Sequence, residues 1–408
     1  MRAAAVDESG VLALACDLIR IPSPNPPWDE RAVAEHLAQW LRDTGIDADV
    51  LGVEAPNAPH ANVFARVRGT GQRAPFVFCG HLDTVPPGEG TWTRGPYEAV
   101  VHDGRLHGLG AADMKGGVAA MAVAARRLAR EAGLGQPLQG DLLLAFTSGE
   151  ETRSRGARAL ARAGLLDGAA GIVIGEPTGN RVGIAEKGGI WVDVAVTGRT
   201  AHGSLPHLGA NAVAALAELL VCLEAAVAST SDGMSTGQAE LRDAVVRSAD
   251  ALLGSPTLTA TGFDGGVAAN VVPDRATAVL DIRLLPGQEG AAVLSGVRAV
   301  ASEVAARRGV QIEVTSPGER VPLAIPSDHP LANACAAAVE RATGHVPVRM
   351  GLTGATDATE LVPHLGLPFV ICGPGHMAQA HQPDEWVSTR ALEQAAEVYY
   401  HLARAMLG

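Results

Sequence analysis

Seven side chains with acid–base or metal-binding chemistry recur in one setting, at or just beyond the end of a short apolar run or at a helix start. PFVFC (75–79) runs into Gly80-His81-Leu82-Asp83, DLLLAFTS (141–148) into Gly149-Glu150-Glu151, and GIVI (171–174) into Gly175-Glu176-Pro177. Asp113 precedes an Ala-rich stretch at 114–132, and His381 lies in the loop after LPFVIC (367–372). Two imidazoles with several carboxylates and no cysteine suit one or two divalent ions, Zn²⁺ first, with Co²⁺ or Mn²⁺ also accommodated. Two ions about 3.5–4 Å apart need a ligand that touches both, which a carboxylate can do and an imidazole cannot. Asp113 is the candidate bridge. The neighbouring carboxylates of Glu150 and Glu151 repel unless cations sit nearby; one can ligate while the other takes a proton from water. Asp83, two residues after His81 in an extended segment, is placed to accept the imidazole's other N–H. Plainer readings stand beside these: Asp113 as a helix N-cap, Glu176 before Pro177 as a turn residue.

The elements that must carry these residues alternate. The continuous apolar runs suit strands buried on both faces of a sheet. Helical patterns occupy 114–132, 153–164 and 329–343, so the expected class is α/β with a doubly wound, mostly parallel sheet. Residues 7–20 and 29–43 read as helices around the Pro-rich loop IPSPNPPW (21–28), which proline excludes from a helix. Near residue 188 the pattern changes. GIWVDVAVTG alternates with period two, followed by a helix at 209–228 and a polar, irregular stretch at 229–250. TLTATGFDGG, ATAVLDIRLLP, a helix at 290–308 and VQIEVTSP complete an α+β unit of two helices and about four antiparallel strands. The expected division is a catalytic domain of residues 1–187 and 319–408 with an inserted domain at 188–318.

The motifs GHLDTVP (80–86), GAADMKGG (110–117), SGEE (148–151), GEPT (175–178), TAHGSLPHLGANA (200–212), NVVPDRATAVLDIRLLP (270–286) and GPGHMAQAHQPDE (373–385) make the chain resemble the M20 metallopeptidases. That family includes acetylornithine deacetylase, succinyl-diaminopimelate desuccinylase, carboxypeptidase G2 and aminoacylase. The resemblance covers nearly the whole length. It implies two zinc ions per chain, one held by His81, Asp113 and Glu176, the other by Asp113, Glu151 and His381. It further implies Glu150 as general base and then acid, and Asp83 as the residue that orients His81. His202 would stabilise the oxyanion, reaching a partner subunit's site. Asn270, Arg283, and Gly354 and Thr356 of the loop GLTGAT (351–356) would hold the substrate. Arg283, in an otherwise apolar strand, also has a structural reading, pairing with a neighbouring acid. The family's habit implies a homodimer through the inserted domain.

Composition narrows the alternatives. Net charge is −12, no basic block occurs, and Lys115 and Lys187 are the only lysines, which argues against nucleic acid and anionic membranes as partners. Aromatic residues make up 3% of the chain, too few for base-stacking platforms. The five scattered cysteines form no CxxC, and the first twenty residues read as an amphipathic helix, so a cytoplasmic protein without disulfides is expected. Three functions compete: a deacylase of N-acyl amino acids, a dipeptidase or carboxypeptidase of the same family, and a non-catalytic binding protein on this fold. The wording of GEPT, TAHGSLPH and AHQPDE favours the deacylase, and an intact Glu150 with a full donor set argues against the binding protein.

Overall fold

A computed structural model describes residues 10–26, 29–55, 58–228, 234–245 and 249–408. The chain divides into two compact units. The first comprises residues up to Ile184, Ile325–Met350 and Thr356–Gly408; the second comprises Ala185–Ala324 and Gly351–Ala355. The sequence-based boundaries at 188 and 318 lie just inside this second span and leave out 351–355.

In the first unit the strands Leu142–Thr147, Phe76–His81, Ile172–Ile174 and Phe369–Ile371 lie side by side and parallel. All their residues are buried, as continuous apolar runs covered on both faces must be. Two strands not read from the sequence, Ala61–Val67 and Asp47–Gly52, extend the sheet antiparallel on one side. The helix Lys115–Gly133 is rich in alanine and buries Gly116 to Met121 without a break. Small side chains let such a helix lie close on the sheet: a Cβ on Gly117 would stand 2.4 Å from Gly175 O, and one on Gly80 would stand 2.5 Å from the Met114 methyl. That closeness brings the residues before the helix to the strand ends. The C-terminal helix Thr389–Leu407 packs on Lys115–Gly133 and fixes itself through Tyr399, whose hydroxyl donates to Cys372 O at 2.6 Å. None of the five cysteines is in a disulfide.

In the second unit the strands Thr257–Gly265, Arg275–Leu284, Gly188–Thr197 and Gln311–Thr315 form an antiparallel sheet in that order, and Glu319–Arg320 also pairs with Gly188–Thr197. Burial alternates along Gly188–Thr197 and Arg275–Leu284, one face meeting the helices and the other facing outward. The stretch expected to be irregular contains a third helix, Thr236–Val245, beside Ala212–Ala228 and Gly290–Arg308. Its polar surface hides a core stripe of Gly237, Leu241 and Val245, too short for the helical period to stand out. Residues 229–233 and 246–248 of that stretch lie outside the described residues, as do 7–9 of the expected first helix, which runs Val11–Arg20. Among the described residues no helix is long and apolar enough to cross a membrane.

Candidate active site

The parallel strands end together, and their carboxyl ends hold the acidic and imidazole side chains, where open α/β sheets place their ligands. His81 is the last residue of Phe76–His81 and pairs in register with Thr147, the last of Leu142–Thr147. Beyond Thr147 the chain turns through Gly149, at φ 71°, into the one-turn helix Glu150–Arg153. A left-handed residue costs glycine little and sets Glu150 directly at the strand end. Asp113 sits in the turn just before Lys115–Gly133, and Glu176 follows Ile172–Ile174. His381 comes from the loop after Phe369–Ile371 and adopts φ 59°, a conformation a non-glycine residue holds only where its surroundings impose it.

These residues converge. His81 Nε2 lies 3.0 Å from Asp113 Oδ1 and 3.7 Å from Glu176 Oε1. His381 Nε2 lies 3.4 Å from Asp113 Oδ2 and 3.0 Å from Glu151 Oε2. Asp113 thus faces one imidazole with each oxygen, the placement a bridging carboxylate requires. Donor atoms of His81, Asp113 and Glu151 lie within 4.8 Å of one another, and so do those of His81, Glu150 and Glu176.

Asp83 serves His81 through its main chain and does something further with its side chain. His81 Nδ1 donates to the main-chain oxygen of Asp83 at 2.9 Å, with the carboxylate Oδ1 farther off at 3.6 Å. The carboxylate instead accepts the amides of Glu150 and Glu151 and the Asn25 side chain, each at 3.1 Å. One residue therefore sets the His81 tautomer through its backbone and clamps the Glu150–Glu151 turn through its side chain. The cause is geometric: the extended segment after His81 runs past the open amides of a new helix start, the strongest acceptor-seeking groups nearby.

Electrostatics mark the cluster as a place for cations. Burial, then the neighbouring Asp113 charge, pushes Glu151 up to about 7 and Glu176 well above the carboxylate range. His381 is raised to about 10 by its hydrogen bonds to Asp113 and Glu151. Burial alone would lower His81, but the charges of Glu176 and Asp113 outweigh it and raise it. Burial disfavours the Asp113 charge, yet hydrogen bonds from both histidines hold that carboxyl below its ordinary value. Carboxylates buried this closely relieve one another only when positive charge joins them, and hard oxygen donors with two imidazoles match a divalent ion in type and number. The residues present fit such ions.

Four further buried residues support the site, and the sequence reading gave them no role. Glu385 accepts the amides of Ala112 and Asp113 at 2.8 and 3.1 Å, pinning the turn that presents Asp113. Glu30 accepts the Gly149 amide at 3.2 Å and bonds His60 Nδ1 at 2.9 Å. Asn62 accepts the Ser148 amide and donates to Gly156 O, each at 2.9 Å. Asp357 bonds the Thr147 hydroxyl, and burial with the nearby Glu150 charge raises it to about 7. Glu385 was visible within the HQPDE motif; the other three had no local signal.

The remaining expected residues divide between the units. Thr356 belongs to the first, buried, its hydroxyl accepting the Ala358 amide at 3.1 Å. Gly354 belongs to the second. So does His202, exposed, on a two-residue strand paired with Val271–Val272 next to Asn270. His202 Nδ1 lies 3.2 Å from the Ser204 amide and 2.7 Å from the Ser204 hydroxyl, which leaves its Nε2 without a partner among the described residues. Arg283 forms a two-point ion pair with Asp281 at 2.6 and 2.8 Å, the structural reading its strand allowed.

A parallel sheet whose strand ends gather two imidazoles and buried carboxylates defines a metal-dependent hydrolase site. The chain belongs to peptidase family M20/M25/M40, whose sequence profile matches residues 77–405, a family of hydrolases acting on amide bonds. It is 30% identical to a probable succinyl-diaminopimelate desuccinylase of Staphylococcus epidermidis, covering 98% of this chain and 99% of the relative. It is 31% identical to an acetylornithine deacetylase of Vibrio atlanticus, covering 93% of each. The fold matches an M20 family metallo-carboxypeptidase, Sso-CP2 from Sulfolobus solfataricus, with TM-score 0.78 at 19% identity, over 97% of this chain and 99% of that one.

Proposed function

We propose that this hydrolase uses two metal ions to remove an N-acyl group from an amino acid or related amine. The observation that carries the reading is the convergence of Glu150, whose backbone amide Asp83 holds, with His81, Asp113, Glu151, Glu176 and His381. The relatives named as a desuccinylase and a deacetylase support the acyl-amino-acid class.

His81, Asp113 and Glu176 would hold one ion and Asp113, Glu151 and His381 the other, with Zn²⁺ favoured and Co²⁺ or Mn²⁺ admitted by the same donors. Bound there, the ions supply Lewis acidity toward the scissile carbonyl and make water a stronger acid. Glu150 takes the proton of the attacking water and returns it to the leaving nitrogen. His202 donates from its free Nε2 edge to the developing oxyanion. Asn270, Arg283, Gly354 and Thr356 hold the acyl or carboxylate end of the substrate. For Arg283 this requires the guanidinium to leave or share Asp281. The second unit joins two copies of the chain; its outer strand Thr257–Gly265 has one edge unpaired among the described residues and an exposed Phe263, which supports that pairing.

The test is a hydrolysis panel on metal-analysed protein: N-acetyl, N-formyl and N-succinyl amino acids, N-acetylornithine, N-succinyl-diaminopimelate and simple dipeptides, each with Zn²⁺, Co²⁺ or chelator. Chelator-sensitive release of amine from one acyl class is expected. Preference for dipeptides moves the assignment to peptidase, and a metal-free, unresponsive protein overturns the mechanism.

A further inference from the structure

A concavity lies wholly within the first unit, and none of the metal donors lines it. Its volume is about 490 Å³, the size of a small-molecule site. Its walls come from three places: the turn Gly179–Arg181, the end of the helix Pro330–Thr343 with the following His345–Val348, and the segments flanking His381, Pro374–His376 and Trp386–Gln394.

The charge of this cavity runs against that of the molecule. The chain carries net charge −12, yet no Asp or Glu lines the cavity, while the two arginines Arg181 and Arg390 do, with the imidazoles of His345 and His376 beside them. Neither arginine has an ion-pair partner among the described residues. Arg181 is held by its Nε, which donates to Thr178 O at 2.8 Å, and this leaves the end of the guanidinium unengaged. Most of the remaining wall is apolar, with Val339 buried beneath and Val346 and Val348 exposed at 77% and 68%, and Thr343, Ser388 and Gln394 add polar side chains. Asn180, 5% exposed, spends its amide N–H on Ala391 O at 3.0 Å, and its Oδ1 has no donor. A buried acceptor without a donor calls for the O–H of an ordered water, which a carboxylate does not supply, so Asn180 takes no part in holding an anion. Arginines beside aliphatic walls are the chemistry that recognises a carboxylate on an apolar body.

The cavity wall is also the back of the metal-donor turns. A Cβ on Gly375 would lie 2.5 Å from Ala112 O, and one on Gly373 would lie 2.1 Å from Gly175 O. Gly373 and Gly375 accept the amides of Asn180 and Gly179 at 2.7 and 2.6 Å. Residues 373–376 are therefore packed between the cavity and the main chain beside Asp113 and Glu176, and the same loop continues to His381.

We propose that this cavity binds a small organic carboxylate with an apolar body, through Arg181 and Arg390, and that its occupancy adjusts the donor turns behind it. The proposal does not depend on which amide the enzyme cleaves.

The test is titration calorimetry on full-length protein, metal-loaded and chelator-treated, with 3-phenylpropionate as probe and 3-phenylpropionamide as its neutral counterpart. Saturable one-to-one binding of the carboxylate is expected in both preparations. The R181A/R390A double variant, altered only at exposed side chains, should weaken it by about tenfold or more, since charge-assisted hydrogen bonds are lost. Circular dichroism of that variant checks that it is folded, and the single variants should each show part of the loss. Absence of binding up to about 10 mM, equal binding of the amide, or binding that survives the double variant overturns the site. Loss on chelation alone would place the probe on the metals and overturn it too. Saturating probe should change kcat/KM in the native enzyme and not in R181A/R390A; binding without that change overturns the coupling to the donor turns.

Discussion

His81 is 1% exposed and engaged at both ring nitrogens, whereas His202 is exposed and bonded only to Ser204, two residues away. The same contrast holds for the residues around them. In the first unit, Asp83, Glu30, Asn62 and Glu385 each fasten a backbone amide of a donor-bearing turn, across separations as large as 273 residues. In the second unit, Asn270 is exposed and Arg283 is tied to an acid on its own strand. Groups that must hold ions within a few tenths of an ångström are over-determined by buried hydrogen bonds. The residues proposed to meet a substrate, His202 and Asn270, are left accessible. Substitutions should therefore behave differently in the two units, and five of them sharpen or break the comparison.

Asp113→Asn removes the carboxylate that faces both imidazoles. Metal analysis should fall from about two ions per chain to one or none, with activity lost to background; an unchanged metal content would show that Asp113 is not the bridge. Glu150→Gln should keep its ions and fold but lose about 10²–10⁴ in kcat, the usual worth of a positioned acid–base group. Near-native turnover in that variant would remove Glu150 from its role. His202→Ala should lower kcat by on the order of 10²–10³, as loss of one oxyanion donor does, while the melting temperature stays put because the side chain is exposed. A large melting shift with little kinetic effect would mean the two units do not differ as described.

Asp83→Asn keeps the shape but weakens a carboxylate that accepts three N–H groups, one of its oxygens becoming an amide donor. It should cost about 10–100-fold in metal affinity or activity and about 1–3 kcal/mol in stability, read together by metal titration and denaturant melting. A purely kinetic effect would show that the clamp is not structural. The smallest catalytic effect is expected from Gly117→Ala, whose new Cβ meets Gly175 O at 2.4 Å. The helix must move, costing about 1–3 kcal/mol of stability, with activity in the surviving fold reduced far less than by any donor substitution.

The strand-and-helix alternation of the first unit could be read directly, because strands buried on both faces are apolar throughout and stop at the polar residues of the site. Phe76–His81, Leu142–Thr147 and Ile172–Ile174 all show this. The antiparallel strands Asp47–Gly52 and Ala61–Val67 were not seen, since DADVLG mixes acids with apolar residues on a half-exposed edge. The helix Thr236–Val245 was missed for the related reason that only three of its residues face the core. Within the site, the acidic and imidazole residues at strand ends were recognisable by type and place, but their supporting acids were not. Glu30 lies in an ordinary helix start, 119 residues from the Gly149 amide it accepts.

The sequence by itself determined which residues have donor chemistry and that a parallel sheet would gather them, because residue type and hydrophobic period are local properties. Only the tertiary structure decided that Asp83 clamps Glu150–Glu151 through its carboxylate while serving His81 through its backbone. It alone decided that Glu385 and Glu30 fasten backbone amides. A buried acid's role depends on which donor reaches it first when distant segments pack, and that choice is made in space, where spacing along the chain carries no record of it.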